Sequence, residues 1–207
     1  MFIIYERDFG AAVAQNLKEI VKECHIIPLG EFDAKKLKTK KIDFACIIIT
    51  GRQAKKLKEV SLILTNEGIK HSTIVLSDDF LCCGPLIIPD SSPCMFCTVK
   101  RITSLVEKPR TMKQDIAFHS YLEKNSNVDL KGYLPPLVEI ASLKILQHSK
   151  CAHKHLGKVT IISLINGRML ESRIIPLHGC SCRQNKFSTI EERWTKHLIS
   201  DLDKILT

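Results

Sequence analysis

Phe44-Ala45-Cys46-Ile47-Ile48-Ile49 is a continuous apolar run of strand length. A run that lacks alternating polar residues is typical of a parallel strand buried on both faces. Apolar positions at helical spacing follow at residues 57–67, and a second strand-like run follows at residues 72–76. The beginning of the chain shows the same alternation of strand-like and helix-like segments, at Phe2–Tyr5, 11–21 and 24–27. This order predicts an α/β fold with a mostly parallel sheet joined by right-handed crossovers.

A proline-bracketed segment interrupts this order. Gly84-Pro85-Leu86-Ile87-Ile88-Pro89 is a short apolar run, which predicts a strand near the edge of the sheet or an extended crossing. Cys94-Met95-Phe96-Cys97 then begins a helix that we expect to reach Leu105, with Pro93 at its start.

The remaining sequence predicts further helices and one hairpin. Pro135-Pro136 begins a helix rich in leucine and isoleucine. Asn166-Gly167 is a strong signal for a two-residue hairpin turn between the apolar residues 158–165 and 169–175. Two more helices are expected, within residues 108–127 and at residues 189–206.

Four cysteines in two close pairs form the most informative motif. Cys94 and Cys97 are separated by two residues, and Cys180 and Cys182 by one. Zinc accepts four thiolates in tetrahedral geometry, and a closed shell of cysteines leaves no position for a substrate. The four residues therefore predict one structural zinc site and argue against metal catalysis. Two alternatives stay open: His178 replaces one thiolate, or Cys180 or Cys182 is a surface thiol and no metal binds.

The other cysteines and the histidines each have a plain and a functional interpretation. Cys24 and Cys46 lie in strand-like runs and are expected to be small buried hydrophobic residues. Cys82-Cys83 could be a spare ligand pair, but burial is the favoured interpretation. A second metal site is conceivable in a cluster near the end of the predicted long helix, although a polar helix end is favoured. Its members are His148, Cys151, His153 and His155.

The net charge of +9 favours polyanionic or acidic partners. Lysines cluster at positions 35, 36, 38, 40 and 41 and again at 55, 56 and 58. Because aromatic residues are few and do not alternate with the basic runs, stacking on single-stranded nucleic acid is not favoured. Four basic side chains could offset the negative charge of a zinc–thiolate centre or could be ordinary surface charge: Lys100, Arg101, Arg173 and Arg183.

Several functional motifs are missing. The first strand is followed by Glu6-Arg7-Asp8-Phe9-Gly10, which lacks the glycine-rich turn that brings backbone amides close to phosphate. There is no Walker A motif and no nucleophile elbow. Asp78-Asp79 and Glu191-Glu192 fit a turn or a first helical turn better than a catalytic acid–base pair. No apolar run approaches the length of a membrane span, and no secretory signal is evident, so we expect a cytoplasmic protein.

In these features the chain resembles the E1-like, ThiF-related proteins that accompany YcaO-type cyclodehydratases in microcin and thiopeptide biosynthesis. The resemblance covers about residues 40–185. Its elements are the strand–helix–strand pattern of residues 44–76, the Gly84–Pro89 segment leading to Cys94, Cys97 and Arg101, and the late helix and hairpin before the second cysteine pair.

The resemblance implies an incomplete Rossmann-like sheet, a C-terminal β-hairpin and a structural Zn²⁺ bound by Cys94, Cys97, Cys180 and Cys182. It also implies one E1-like domain, with a sheet part at residues 1–90 and a zinc-bound helical and hairpin part at 91–207. No winged-helix leader-binding module is expected ahead of the first strand, so a separate small protein would bind the leader.

The implied function is that of a non-adenylating scaffold. Such a scaffold binds a ribosomal precursor peptide and presents it to a YcaO-type enzyme that forms azoline and thiazole rings. A homodimer is also implied. Two alternatives from other classes remain, namely a ThiF-like adenylating enzyme that binds nucleotide, and a zinc-containing nucleic-acid-binding protein.

Overall fold

The computed structural model describes residues 1–34, 37, 42–51, 54–104, 117, 121, 132–180 and 182. In chain order, its strands and helices are β1 (Phe2–Tyr5), α1 (Arg7–Ile20), β2 (His25–Pro28), β3 (Phe44–Thr50), α2 (Ala54–Asn66), β4 (Lys70–Leu76), β5 (Phe80–Ile87), α3 (Met95–Ser104), α4 (Pro135–Lys150), α5 (Ala152–His155), β6 (Lys158–Ser163) and β7 (Met169–Arg173). A 3₁₀ turn, Leu29–Glu31, follows β2.

All seven described strands lie in one sheet, in the order β2-β1-β3-β4-β5-β6-β7. Strands β1 to β4 pair in parallel, as the βαβ alternation predicts. The pairings β4–β5, β5–β6 and β6–β7 are antiparallel, so the sheet is mixed and the prediction of a mostly parallel sheet is wrong. The reversal begins at a tight turn, where the Ser77 amide donates to the Phe80 carbonyl (2.8 Å). Such a short connection can join only antiparallel strands.

Strand β5 begins earlier than predicted and lies inside the sheet, between β4 and β6. The prediction of an edge position was based on Pro85, which cannot donate to a neighbouring strand. The structure tolerates this proline because the β4–β5 register shifts between Ser72 and Ile74, opposite Gly84-Pro85. In addition, β6 pairs with β5 only as far as Cys83. Gly84 has a φ of +100°, and a side chain there would collide with the Lys158 carbonyl oxygen.

The sheet has an apolar core on each face. Every residue of β3 is buried, and neighbouring isoleucines point to opposite sides. Ile48 packs with α1 and α4, whereas Ile47 packs with α2 and the first residue of α3. Burial of a side chain of this size contributes about 1.5–3 kcal/mol. The helices thus form two layers around the sheet, and α3 lies in the same layer as α2.

Other sequence predictions are met with shifted boundaries. Helix α1 begins at Arg7, and α3 begins at Met95, so Pro93 precedes the helix. The predicted hairpin is present, but its loop spans residues 164–168 and is longer than the predicted two-residue turn. In this loop the Gly167 amide donates to the Ser163 carbonyl (2.9 Å). The expected helices at 108–127 and 189–206 lie outside the described residues, apart from 117 and 121, as do Leu105 and the lysines at 35, 36, 38, 40 and 41.

Candidate metal centre

Two segments far apart in sequence bring the four predicted cysteines together. Cys94 directly precedes α3, Cys97 lies in its first turn, and Cys180 and Cys182 follow β7. The Sγ–Sγ distances are 3.8 Å for Cys94–Cys97, 3.7 Å for Cys94–Cys180, 3.6 Å for Cys97–Cys182 and 3.4 Å for Cys180–Cys182. All four sulfur atoms lie within 4.8 Å of one another. The four cysteines therefore lie close enough to bind one metal ion.

The sulfur positions fit a tetrahedron around a metal. Sulfurs that each lie about 2.3 Å from a central zinc are separated by about 3.8 Å from one another. The observed distances are close to this value, and they are far longer than the bond of about 2.05 Å in a disulfide. The four cysteines already supply four ligands, so His178 is not needed as a ligand. Within the described part of the chain, this is the only group of three or more candidate ligands close enough for one ion.

The first cysteine pair is positioned by a turn that leads into α3. The Ser92 hydroxyl accepts a hydrogen bond from the Ile88 amide (2.9 Å), and the Ser92 amide donates to the Ile88 carbonyl (3.1 Å). Both the amide and the hydroxyl of Thr98 donate to the Cys94 carbonyl (3.2 Å each), which starts the helix at the first ligand. Thiolates at a helix N-terminus are stabilised by the helix dipole and by free backbone amides.

The second pair is positioned by contacts of the chain after β7. The Ile174 amide donates to the Gly157 carbonyl (2.9 Å), and the Gly157 amide donates to the Leu86 carbonyl (3.1 Å), which joins this segment to β5. The guanidinium of Arg101 donates to the Ile175 and Pro176 carbonyls at 3.3 and 3.4 Å. Arg101 thus contacts the backbone that leads to Cys180, a role that neither interpretation from the sequence included. Arg183 lies outside the described residues.

Backbone amides and buried apolar groups surround the sulfurs. The Leu177 amide donates to the Cys97 sulfur (3.3 Å), and the Cys180 amide donates to the Leu177 carbonyl (3.2 Å). Cys97 is fully buried, in a cluster with Cys82, Val159 and Ile174. The site therefore lies against β5 and β6, where water is largely excluded from one side.

Burial opposes ionisation of Cys97, Cys180 and Cys182. It raises the pKa of Cys97 to about 11 and also raises the pKa of Cys182. Burial acts in the same direction on Cys180, but hydrogen bonds from the Cys182 backbone and from the three other thiols lower the pKa of Cys180 overall. A divalent cation bound by these four cysteines would reverse this balance, because metal coordination deprotonates thiols.

Three of the other cysteines, Cys46, Cys82 and Cys83, are small buried groups. Cys82 and Cys83 are buried on β5, and burial raises the pKa of each to about 12. They point to opposite faces of the sheet, since Cys82 packs near the metal centre and Cys83 packs in the core under α1 and α4. They cannot bind one ion together. Cys46 is fully buried, as predicted, whereas Cys24 is half-buried.

The histidines near the end of α4 do not form the solvated, polar helix end that was expected. His148 lies in the last turn of α4 but is buried, with its Nδ1 2.6 Å from the Ser72 hydroxyl oxygen. The ring of His155 lies against it, with 5.3 Å between the centroids. Burial lowers the pKa of His148 to about 4, so the ring is neutral near pH 7. Cys151 is exposed, and the His153 side chain lies outside the described residues.

A second buried serine–histidine pair was not foreseen from the sequence. The Ser61 hydroxyl lies 2.7 Å from Nε2 of His71, and Nδ1 of His71 lies 2.9 Å from the Ile69 carbonyl. Since the carbonyl can only accept, Nδ1 carries the proton and Ser61 donates to Nε2. Both side chains are buried, and burial lowers the pKa of His71 to about 4. The pair satisfies polar groups between α2 and β4 and is closed to a substrate.

The turn between β1 and α1 carries an acidic side chain where a dinucleotide fold places phosphate. Glu6 is the N-cap of α1, and its carboxylate lies 3.7 Å from Nζ of Lys56. The nearby Gly10 allows close packing, because a Cβ there would lie 3.2 Å from the Tyr5 Cβ and 3.4 Å from the Ile48 carbonyl oxygen. Asp78 and Asp79 lie in the β4–β5 turn, where the Asp79 carbonyl accepts from the Leu164 amide. Glu191 and Glu192 lie outside the described residues.

No protein-family model matches the sequence, and no curated protein matches it. Solved structures do match. The heterocyclase TruD aligns with a TM-score of 0.59 and 12% identity, over 87% of this chain and 27% of that chain. A chain of the E. coli microcin synthetase McbBCD complex aligns with a TM-score of 0.60 and 14% identity, over 87% of this chain and 67% of that one.

The chain shares its fold with these proteins. E. coli MccB is a third match, with a TM-score of 0.53 and 14% identity, over 89% of this chain and 58% of MccB. The microcin synthetase with pro-MccB17 bound also aligns, with a TM-score of 0.56. The chain spans only about a quarter of the length of TruD. At these identities the likeness shows a common fold.

No helix in the described ranges combines the length and the apolar character that a membrane crossing requires.

Proposed function

We propose that this chain is a non-adenylating E1-like scaffold in the biosynthesis of azoline- or thiazole-containing peptides of the bacteriocin or thiopeptide type. In this role it binds a precursor peptide and presents it to a YcaO-type cyclodehydratase. The observation that carries the proposal is the fold shared with TruD and with the McbBCD synthetase, one structure of which has pro-MccB17 bound. Holding a flexible peptide near the active site of another subunit reduces the entropic cost of reaction.

We further propose that Cys94, Cys97, Cys180 and Cys182 hold a structural Zn²⁺. Four sulfur donors at near-tetrahedral spacing support this choice, since thiolates favour zinc or iron among the common metals. The ion would supply binding energy for folding, because four protein ligands leave no open position for a substrate. The cysteines would fix the first turn of α3 to the segment after β7, and the whole chain would act as a single domain.

An acidic N-cap in place of a phosphate turn supports the absence of adenylation. A phosphate group near α1 would approach Glu6, and carboxylate and phosphate repel each other. The competing adenylating function predicts that the isolated protein releases pyrophosphate from ATP when peptide is present. The competing nucleic-acid function predicts binding that falls steeply with salt concentration.

Reconstitution of heterocyclisation tests the proposal directly. The precursor peptide, the YcaO-type enzyme and ATP are combined with and without this chain, and ring formation is followed by the loss of water in mass spectrometry. A separate leader-binding protein is included in both arms. We expect ring formation to depend on the chain, while the chain alone produces neither rings nor pyrophosphate. Equal ring formation in both arms would refute the scaffold.

A further inference from the structure

Helices α2 and α3 expose a small apolar surface between lysines, which we call the α2–α3 surface. It consists of Lys58 and Leu62 of α2 and Phe96 and Lys100 of α3. Phe96 lies between two of the candidate metal ligands, yet 47% of its surface is exposed. The ammonium groups of Lys58 and Lys100 each lie 5.9 Å from the centre of the Phe96 ring.

Leu62 is a second exposed apolar side chain, next to Lys58 on α2. It lies one helical turn after Lys58 on the same side of α2 and is 60% exposed. A large apolar centre within a charged rim is the usual composition of a protein–protein interface, where aromatic anchors carry much of the binding energy. Neither Phe96 nor Leu62 belongs to the apolar core of the described residues, whereas Met95 and Leu64 of the same two helices are buried in it.

The charge of the two helices determines which partner fits. Helices α2 and α3 together contain five basic side chains, at positions 55, 56, 58, 100 and 101, and one carboxylate, Glu59. The basic rim therefore complements a partner with carboxylates. One exposed ring offers little stacking area to a nucleic acid, which needs successive aromatic platforms.

The four-cysteine site adjoins this surface. Cys94 and Cys97 flank Phe96, and Thr98 fixes the start of α3 through the Cys94 carbonyl. Met95, on the buried side of the same turn, packs in the core with α2. The ring is thus positioned before a partner arrives, and a positioned anchor loses less conformational entropy on binding.

We propose that the α2–α3 surface docks an acidic segment of the precursor peptide. An aromatic or large aliphatic side chain of that segment covers Phe96 and Leu62, and neighbouring carboxylates pair with Lys58 and Lys100. This inference rests on the proposed function, because it assigns the segment to the precursor peptide.

Fluorescence anisotropy with the full, zinc-loaded chain tests the docking site. The probe is a dye-labelled peptide in which Asp and Glu flank a Trp and a Leu. A second peptide replaces each carboxylate with its amide, and a dye-labelled single-stranded oligonucleotide is a third probe. The test variants are Lys58→Glu combined with Lys100→Glu, and Leu62→Ala. Their matched controls are Lys18→Glu and Leu143→Ala, which are exposed changes on α1 and α4 across the sheet.

We expect the acidic peptide to bind about tenfold more weakly to the lysine double variant, since attraction is exchanged for repulsion at two sites. Leu62→Ala should weaken binding about threefold or more through lost apolar contact. The amide peptide should bind poorly, and both control variants should behave like the unaltered chain. An equal loss in Lys18→Glu, no dependence on carboxylates, or tighter binding of the oligonucleotide would each overturn the proposal.

The lysine double variant also separates this proposal from the scaffold function. If ring formation needs the chain but proceeds normally with the double variant, the docking site is wrong and the scaffold stands. If ring formation does not need the chain, while acidic peptide binding depends on these lysines, the scaffold and the assignment to the precursor peptide are wrong, and the surface stands only as a site for acidic peptides.

Discussion

Replacement of Cys97 by serine should cost this chain a large part of its stability. Cys97 is fully buried, and its sulfur contacts that of Cys182, 85 residues later in the chain. In the chain-entropy treatment of cross-links, closing a loop of this length stabilises the folded state by about 4.5 kcal/mol. Total stabilities are only about 5–15 kcal/mol, so loss of the metal link should remove a substantial share.

The expected change is a drop in Tm of about 10–15 °C, because 1 kcal/mol shifts Tm by about 2–4 °C in a chain of this size. Scanning calorimetry of the zinc-loaded unaltered chain and of Cys97→Ser measures it, with zinc-loaded Cys151→Ser as the matched control. Cys151 is exposed and outside the sulfur cluster, so its replacement should shift Tm by no more than about 2 °C.

A chelator provides a second comparison in the same experiment. It should lower the Tm of the unaltered chain to that of Cys97→Ser and leave the variant unchanged, because the variant has no metal link to lose. Equal Tm values for the unaltered chain and Cys97→Ser, with the chelator having no effect on either, would refute the reasoning.

Three further predictions follow from other contacts. Arg101→Ala should speed zinc loss to a chelator and lower stability by about 1 kcal/mol, because it removes the guanidinium that donates to the backbone ahead of the second cysteine pair. Zinc-release kinetics measure the first of these effects. His71 and His148 have folded-state pKa values of about 4, below those of the unfolded chain, so their contribution to stability is present above about pH 6.5 and is lost as the pH falls towards 4. Urea titrations at several pH values should show the free energy of unfolding falling by up to about 3 kcal/mol per histidine. Stability that does not change with pH would contradict this prediction. Gly84→Ala should destabilise by about 1–3 kcal/mol because of its positive φ and the Lys158 carbonyl, whereas Gly30→Ala, with open space around it, should be neutral in the same denaturation assay.

Local sequence patterns were sufficient for the parallel strands and the cysteine cluster. The apolar run at residues 44–49 has no polar residue for a solvent-facing side, so it predicted a strand that is buried on both faces. The two cysteine pairs were recognisable because ligand chemistry restricts the residue type and the spacing, whatever the chain between them does.

Features that depend on distant contacts were missed. Pro85 interrupts a strand when considered alone, and the bulge that accommodates it arises only where β5 pairs with β4. His148 has the position of a solvated helix end, but its partner Ser72 lies 76 residues away. Whether a polar side chain is buried with a partner is decided by tertiary packing, which periodicity does not report.

The exposure of Phe96 was missed for the same kind of reason. An aromatic residue between two metal ligands fits a core position as well as a surface one. Its place beside Lys58 depends on how α3 packs against α2, and the sequence of α3 alone does not contain that information.

X-ray absorption at the zinc edge, combined with elemental analysis of purified protein, tests the central claim most directly. The account predicts one zinc ion per chain, with a coordination shell of four sulfur atoms at about 2.3 Å and no lighter ligand. Protein without stoichiometric zinc, or a shell that contains nitrogen or oxygen in place of one sulfur, would contradict the proposed link between α3 and the segment after β7.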